Sequence, residues 1–231
     1  MSKPLEIVTI DGPSGVGKST ISRAVARRLG YTYLDTGAMY RAVAVACRRA
    51  GIPVDDPKQV RTLLPKLEIR LLPGAGQDDD VRVLLNGEDV SREIRTPEAG
   101  MLASRVSALP AVRTALTRMQ QDMGKDGKLV AEGRDTGTVV FPDAAWKFYL
   151  DADPEERARR RLHQLRKQGE EVDFDTLLTQ IIERDRFDRE RTIAPLKKAA
   201  DAMILDTTNL EPSEVTEQLL AAIKHSGKRL S

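Results

Sequence analysis

The amino-acid sequence predicts an α/β protein built on a five-stranded parallel sheet flanked by helices, and three observations carry that prediction. Short apolar runs alternate with helical patterns, a glycine-rich loop follows the first run directly, and several runs end in an acidic residue. A parallel sheet requires this alternation, because strands covered on both faces read as continuous apolar stretches and each crossover needs a helix. The runs are Ile7–Ile10, Tyr33–Leu34, Leu129–Ala131, Trp146–Leu150 and Met203–Leu205. Open sheets of this class bind ligands beyond the carboxyl ends of their strands, so the acids Asp11, Asp35, Glu132, Asp151 and Asp206 mark where a site is expected.

The first run leads into Gly12-Pro13-Ser14-Gly15-Val16-Gly17-Lys18-Ser19-Thr20, and the helical stretch Ile21–Leu29 follows. This is the Gly-x-x-x-x-Gly-Lys-Ser phosphate-loop pattern in its strand, loop and helix context, where an ordinary glycine-rich turn is the plain alternative. Glycines let the backbone curl until its N–H groups converge on a β-phosphate, and the helix N-terminus adds a positive dipole. Lys18 can then reach the β- and γ-phosphates while the Ser19 hydroxyl coordinates Mg²⁺, which makes residues 12 to 20 the expected ATP site.

Thr36, Tyr40 and Arg41 follow the second run, and Tyr40 and Arg41 lie at the start of a helix, where a guanidinium can clamp a phosphate. The alternative is a capped helix with Tyr40 in the core. The single cysteine, Cys47, ends the apolar stretch Ala42–Cys47 and reads as a small buried hydrophobe. Residues 67 to 96 break the alternation: Leu67–Leu72, a Pro-Gly and acidic turn, Val81–Leu85, then Asn86-Gly87 before Glu88–Val90. Asn-Gly between apolar residues is a strong hairpin signal, so a small antiparallel sheet is expected as an insertion after the second helix.

Glu132-Gly133-Arg134-Asp135 closes the next run, which brings three charged side chains to the sheet edge facing the loop. There Glu132 is placed to hold Mg²⁺ through water, Arg134 to neutralise phosphate oxygens, and Asp135 to accept from an exocyclic amine. The last role fits cytosine, whose N4 amino group is a donor that uracil lacks. Asp153-Pro154-Glu155-Glu156 then starts a helix that quickly becomes arginine-rich. Arg157, Arg160 and Arg161 share a face and can close over ATP, with Arg159 and Arg166 as further members; the alternative is a basic surface, unused or for RNA. Arg184, Asp188 and Arg191 are spaced i, i+4 and i+7 on one helical face, a pattern that is most often a solvated ion-pair surface. His163 and His225 lack metal-like spacing.

Composition narrows the classes. Lys+Arg 37 against Asp+Glu 35 gives a net charge of +2, too even to demand a nucleic acid partner. Neither asparagine, Asn86 or Asn209, begins an Asn-Lys-x-Asp guanine-reading motif, and no Asp-x-x-Gly switch motif occurs. No span approaches the ~18 apolar residues of a membrane helix, and Met1-Ser-Lys-Pro-Leu-Glu6 lacks the apolar run of a signal peptide, so a cytoplasmic location is expected.

Four segments together resemble the bacterial cytidylate kinases, within the nucleoside monophosphate kinase superfamily: Asp11–Ser19, Leu34–Arg41, Glu132–Asp143 and Glu183–Arg191. The resemblance runs from residue 5 to about 220 and implies a single P-loop kinase domain over 1–231. Its parts would be a core, an NMP-binding lobe at 38–106 that includes the β insertion at about 67–96, and a helical arginine-rich lid at 157–171. It implies ATP-dependent phosphorylation of CMP and dCMP with Mg²⁺, by a monomer. Thr36, Tyr40 and Arg41 would hold the acceptor monophosphate, Ser104, Arg113 and Asp135 the base, Arg184 and Asp188 the ribose, and Arg191 the phosphates. Ser104 and Arg113 carry no signal of their own. Charge stabilisation during transfer is expected from Lys18, Arg134, Arg157, Arg160, Arg161 and Arg191. Three positions depart from the common pattern: Thr36 stands where many relatives have serine, Glu132 where many have aspartate, and Ser19 where glycine is frequent. The competing readings are a kinase for UMP, thymidylate or shikimate, and a regulatory or RNA-binding module.

Overall fold

The computed structural model describes residues 5–74, 76, 80–167 and 169–227. Residues 1–4, part of the acidic turn at 77–79 and position 168 of the expected lid lie outside the described residues. In chain order the elements are β1 (Ile7–Asp11), α1 (Lys18–Leu29), β2 (Thr32–Asp35), α2 (Thr36–Arg49), α3 (Pro57–Leu63), β3 (Ile69–Leu72), β4 (Arg82–Leu85) and β5 (Glu88–Asp89). There follow α4 (Pro97–Val106), α5 (Pro110–Gly124), β6 (Leu129–Gly133), β7 (Trp146–Asp151), α6 (Pro154–Lys167), α7 (Phe174–Glu190), β8 (Met203–Asp206) and α8 (Pro212–Gly227). The chain forms two compact units, one from residues 1–33 and 126–231, the other from Leu34–Lys125.

The first unit carries the five-stranded sheet, in the order β2-β6-β1-β7-β8. Each of the five apolar runs is one of its strands. All five residues of β1 and of β6 are buried, as central strands require. Parallel register sets Asp11 opposite Gly133 on one side and Tyr149 on the other, and Asp151 opposite Asp206, so the carboxyl ends form one edge. The core joins Val8, Ile10, Val130, Phe148 and Leu150 of the sheet to Ile21 and Val25 of α1. Helix α8 adds Val215, Leu219, Leu220 and Ile223, a stripe at helical spacing. Helices α6 and α7 share a smaller cluster of Ala158, Leu165, Leu177 and Ile181.

Helix α7 ends at Glu190, so Arg191 is its C-cap, with ψ 137, and does not extend the helical face that the i, i+7 spacing suggested. The β-branched pair Thr192-Ile193 disfavours continuing the helix, and Pro195 keeps Ala194 out of the helical backbone, so the helix does not resume.

The second unit is organised on α2, buried at Thr36, Ala38–Tyr40 and Ala42–Cys47. A helix apolar on nearly all sides belongs inside a core. Cys47 is fully buried and its thiol is pushed up by desolvation, as a packing residue's should be. The three strands β3-β4-β5 make the expected antiparallel sheet. Asn86 and Gly87 both have positive φ, 51 and 87, the backbone of a type I′ turn. The expectation was incomplete in two respects: α3 and the turn Leu64–Lys66 come between α2 and the sheet, and β5 is only two residues long. The signal for α3 was Asp56-Pro57, since Asp56 caps the amides of Lys58 and Gln59 while Pro57 fills the first turn.

Candidate active site

The phosphate loop leaves β1 at Gly12. A Cβ built there would lie 2.2 Å from the Leu150 carbonyl oxygen of β7, so the close passage of the two backbones admits only glycine. Val16 is fully buried and anchors the loop, while Gly15 and Thr20 are exposed. Lys18 is buried, and its ammonium donates to the carbonyl oxygens of Gly12 at 2.9 Å and Pro13 at 2.6 Å. Desolvation, helped by the Arg134 charge, brings its pKa from the ordinary 10.5 down to about 7. The unfolded chain therefore holds more protons than the folded one between these values, and the penalty for burying Lys18 is relieved as pH rises through that window.

Beside the loop, the Ser19 hydroxyl donates to Glu132 Oε1 at 2.7 Å, and the Tyr33 hydroxyl donates to the same oxygen at 2.8 Å. A hydroxyl and a buried carboxylate held together next to the loop are two of the oxygen ligand types that Mg²⁺ takes. No group of three or more His, Cys, Asp or Glu that could hold a metal occurs among the described residues. The Ser19 and Glu132 oxygens fit an ion that completes its shell with other oxygen ligands.

Past β6 the charges alternate. Arg134 Nε donates to Asp188 Oδ2 at 2.8 Å, Arg191 Nη1 lies 4.0 Å from Asp188 Oδ1, and Arg191 Nη2 donates to Asp135 Oδ1 at 3.4 Å. Burial pushes the Asp188 carboxyl upward, but Arg134, Arg184 and Arg191 outweigh it and hold the group below its usual range. Arg184 Nη1 reaches the Ser14 hydroxyl at 3.4 Å. Asp11 accepts from the amides of Thr136 and Gly137 and from the Thr136 hydroxyl at 2.8 to 2.9 Å. It thereby pins the turn Thr136–Val140 that follows Asp135, and burial raises its own pKa to about 6.

The arginines of α6 differ from the open face their spacing suggested. Arg157 is 1% exposed and uses all three guanidinium nitrogens internally: Nε on Ala152 O and Nη1 on Ser14 O, both at 2.9 Å, and Nη2 on Asp185 Oδ2 at 2.6 Å. Arg160 donates to the carbonyls of Thr207 and Thr208 after β8 and pairs with Glu156. Arg161 donates to Gln164, and Arg159 pairs with Glu155 and Glu156, while Arg166 is exposed. The shared spacing is real, but the strand end, the loop carbonyl and Asp185 draw Arg157 and Arg160 inward.

In the second unit, Asp35 caps α2 through the Ala38 amide and pairs with Arg41 at 2.9 Å. Thr36 occupies the first turn. The Arg113 guanidinium sits 5.4 Å from the centre of the Tyr40 ring, a cation–π contact, and donates to Ser107 O. The Ser107 hydroxyl in turn donates to Ser104 O. Tyr40 thus is in the core and also against a predicted base-pocket arginine.

Sequence reasoning passed over Tyr33, the turn-holding role of Asp11, and Asp185. Tyr33 read only as strand filler, and Asp185 stood within a quoted segment without its partner being visible. The signal for Asp11 is its place as the acid at the end of the first strand.

Residues 8–225 match the family model for cytidylate kinase. The chain is 49% identical over 217 residues to the cytidylate kinase of Syntrophotalea carbinolica, covering 94% of this chain and 91% of that one. It is 48% identical over 224 residues to the cytidylate kinase of Vibrio cholerae, covering 97% and 98%. Among solved structures, TT1252 from Thermus thermophilus is similar with a TM-score of 0.50 at 21% identity, covering 97% of this chain and 98% of that one, a likeness in fold.

Proposed function

The chain belongs to the cytidylate kinase family, and on that premise we propose that it transfers the γ-phosphoryl group of ATP to CMP and dCMP, giving ADP and the diphosphates. The observation that carries the reading is one carboxyl edge of one sheet bearing both a phosphate loop with a buried lysine and the alternating cluster Arg134, Asp188, Arg191 and Asp135.

Transfer needs little covalent chemistry, since the acceptor phosphate dianion is itself the nucleophile and the barrier falls through alignment and charge stabilisation. Lys18 exchanges its two loop carbonyls for phosphate oxygens, and Arg134 and Arg191 neutralise the charge shared by the reacting phosphates. Ser19 and Glu132 would hold Mg²⁺, which supplies further neutralisation of the phosphate oxygens when bound. Asp135 accepts from the cytosine amine, and Arg184 and Asp188 hold the ribose. In the second unit we assign the monophosphate to Thr36, Tyr40 and Arg41 and the base to Ser104 and Arg113. The segment 157–171 acts as the lid that excludes water, with Arg161 its forward charge and Arg157 and Arg160 its anchors. No helix of the described residues is long and apolar enough to cross a membrane.

Asp135 tests the acceptor assignment. In Asp135→Asn, kcat/KM for CMP should fall about 10- to 100-fold, the worth of a hydrogen bond to a charged group, and the preference for CMP over UMP should shrink with it. A fall of equal size for both acceptors would show that Asp135 only positions Arg191.

Lys18 makes a second expectation. Its pKa of about 7 must rise when phosphates replace the carbonyls, so ATP binding at pH 8 should take up about one proton. Calorimetry in two buffers of different ionisation enthalpy should give different apparent binding heats, and Lys18→Met should abolish the difference. Equal heats for the unaltered protein would contradict the perturbed lysine.

A further inference from the structure

We propose that the buried pair Arg157–Asp185 couples occupation of the acceptor site to the phosphate loop, so that CMP and ATP bind cooperatively. The proposal rests on the acceptor roles assigned above to Arg134, Asp188, Arg191 and Asp135. Neither Arg157 nor Asp185 touches a substrate in it; both are positioning residues.

At the loop end, Arg157 holds the Ser14 carbonyl at 2.9 Å. The peptide from Ser14 to Gly15 is planar and trans, so fixing its carbonyl in one direction points the Gly15 N–H in the other. Gly15 rests on the same side chain, since a Cβ built there would lie 3.3 Å from Arg157 Cβ. Arg157 therefore sets the aim of a loop donor from behind.

Asp185 is the other half. It is 3% exposed, its Oδ2 accepts from Arg157 at 2.6 Å, and its Oδ1 has no hydrogen-bond partner among the described residues. Its negative charge also acts on Arg134, raising that group's pKa along with Asp188 and Glu132 and against the desolvation that lowers it. Helix α7 places Asp185 between Arg184, which reaches the Ser14 hydroxyl, and Asp188, which holds Arg134. Direct contacts thus join the loop carbonyl to Arg157 and Asp185, and Arg134 to Asp188, Arg191 and Asp135, while the charge of Asp185 acts on Arg134 across the gap between the two sets.

Such a line in a low-dielectric interior is responsive at both ends. An acceptor phosphate that draws Arg134 toward itself weakens the competing pull on Asp185, whose hold on Arg157 tightens, and with it the grip on Ser14. A buried ion pair is a poor stabiliser compared with apolar residues of similar volume, so stability alone does not explain placing one behind the loop. Linkage makes the effect reciprocal: whatever factor CMP adds to ATP affinity, ATP adds to CMP affinity.

The test is equilibrium binding of CMP with and without a non-hydrolysable ATP analogue and Mg²⁺. In the unaltered protein the analogue should tighten CMP binding about fivefold or more. In Asp185→Asn, which keeps the shape and removes the charge, the ratio should fall to about one. The double variant Arg157→Met/Asp185→Leu leaves no charge unpaired and should lose the coupling in the same way, its thermal melt reporting the fold. Absence of coupling in the unaltered protein, or its survival in both variants, overturns the proposal, as would unfolding of both, which would make the pair structural only. Failure of the unaltered protein to bind CMP at all would remove the acceptor reading itself, and the coupling with it.

Discussion

Lys18→Ala should lower kcat for CMP phosphorylation by about 10²- to 10³-fold, the usual loss when one preorganised charge donor is taken from a phosphoryl or acyl transfer site. The fold should survive, because among the described residues the ammonium hydrogen-bonds to the carbonyls of Gly12 and Pro13, and its removal takes away a costly buried charge. The diagnostic feature is that KM for CMP stays near its original value while kcat and ATP affinity fall, since Lys18 belongs to the donor loop. Steady-state kinetics with each substrate varied at a saturating level of the other decide it. A kcat near that of the unaltered protein would refute the role of the lysine, and an equal loss in both substrates' KM would point to a distorted loop.

Gly12→Ala should act through the fold. The new methyl would meet the Leu150 carbonyl at 2.2 Å, and that oxygen belongs to the central sheet and cannot swing aside as a side chain would. Forcing an extra methyl into a close-packed place costs about 3 kcal/mol, and for a chain of this size that corresponds to a Tm lower by roughly 6–12 °C. Nucleotide binding should weaken as well, because β1 and the loop must move apart from β7 to make room. A melt within a degree or two of the original would mean that the two backbones are not in contact as described.

The parts of the fold legible in the sequence were those written in local pattern. Ile7–Asp11 and Leu129–Gly133 are buried along their whole length and so read as short, mainly apolar runs closed by an acid, and Asn86-Gly87 announced its turn through the two residues most tolerant of positive φ. Helix α3 was written equally plainly in Asp56-Pro57 but lay in a stretch with too few apolar positions to draw notice. Arg191 shows the limit of periodicity: its spacing from Arg184 fits a helix, while the helix ends at Glu190 and leaves Arg191 as its C-cap.

The site divides the same way. The loop was legible because its chemistry demands a contiguous pattern. Arg157 and Asp185 were not legible as partners, because they lie on different helices and only packing of α6 against α7 brings their charges to 2.6 Å. The sequence of α6 put Arg157, Arg160 and Arg161 on one face, and nothing in that spacing distinguished the buried Arg157 from Arg161, which donates to Gln164 of its own helix. Tyr33 illustrates a third case, in which strand alternation fixes that a side chain exists at a position but not that its hydroxyl ends on Glu132. Ser104 and Arg113 entered through resemblance alone, and the contact of Arg113 with Tyr40 gives that pair a physical basis within its own unit.

The central claim is the reaction, and a coupled assay of ADP formation from ATP and Mg²⁺ tests it most directly, with CMP, dCMP, UMP, dTMP, AMP and shikimate supplied in parallel. The account predicts fast turnover with CMP and dCMP and little with the other four. Fast turnover with one of those four in place of CMP would contradict the cytosine assignment of Asp135, and no turnover with any acceptor would contradict the kinase itself.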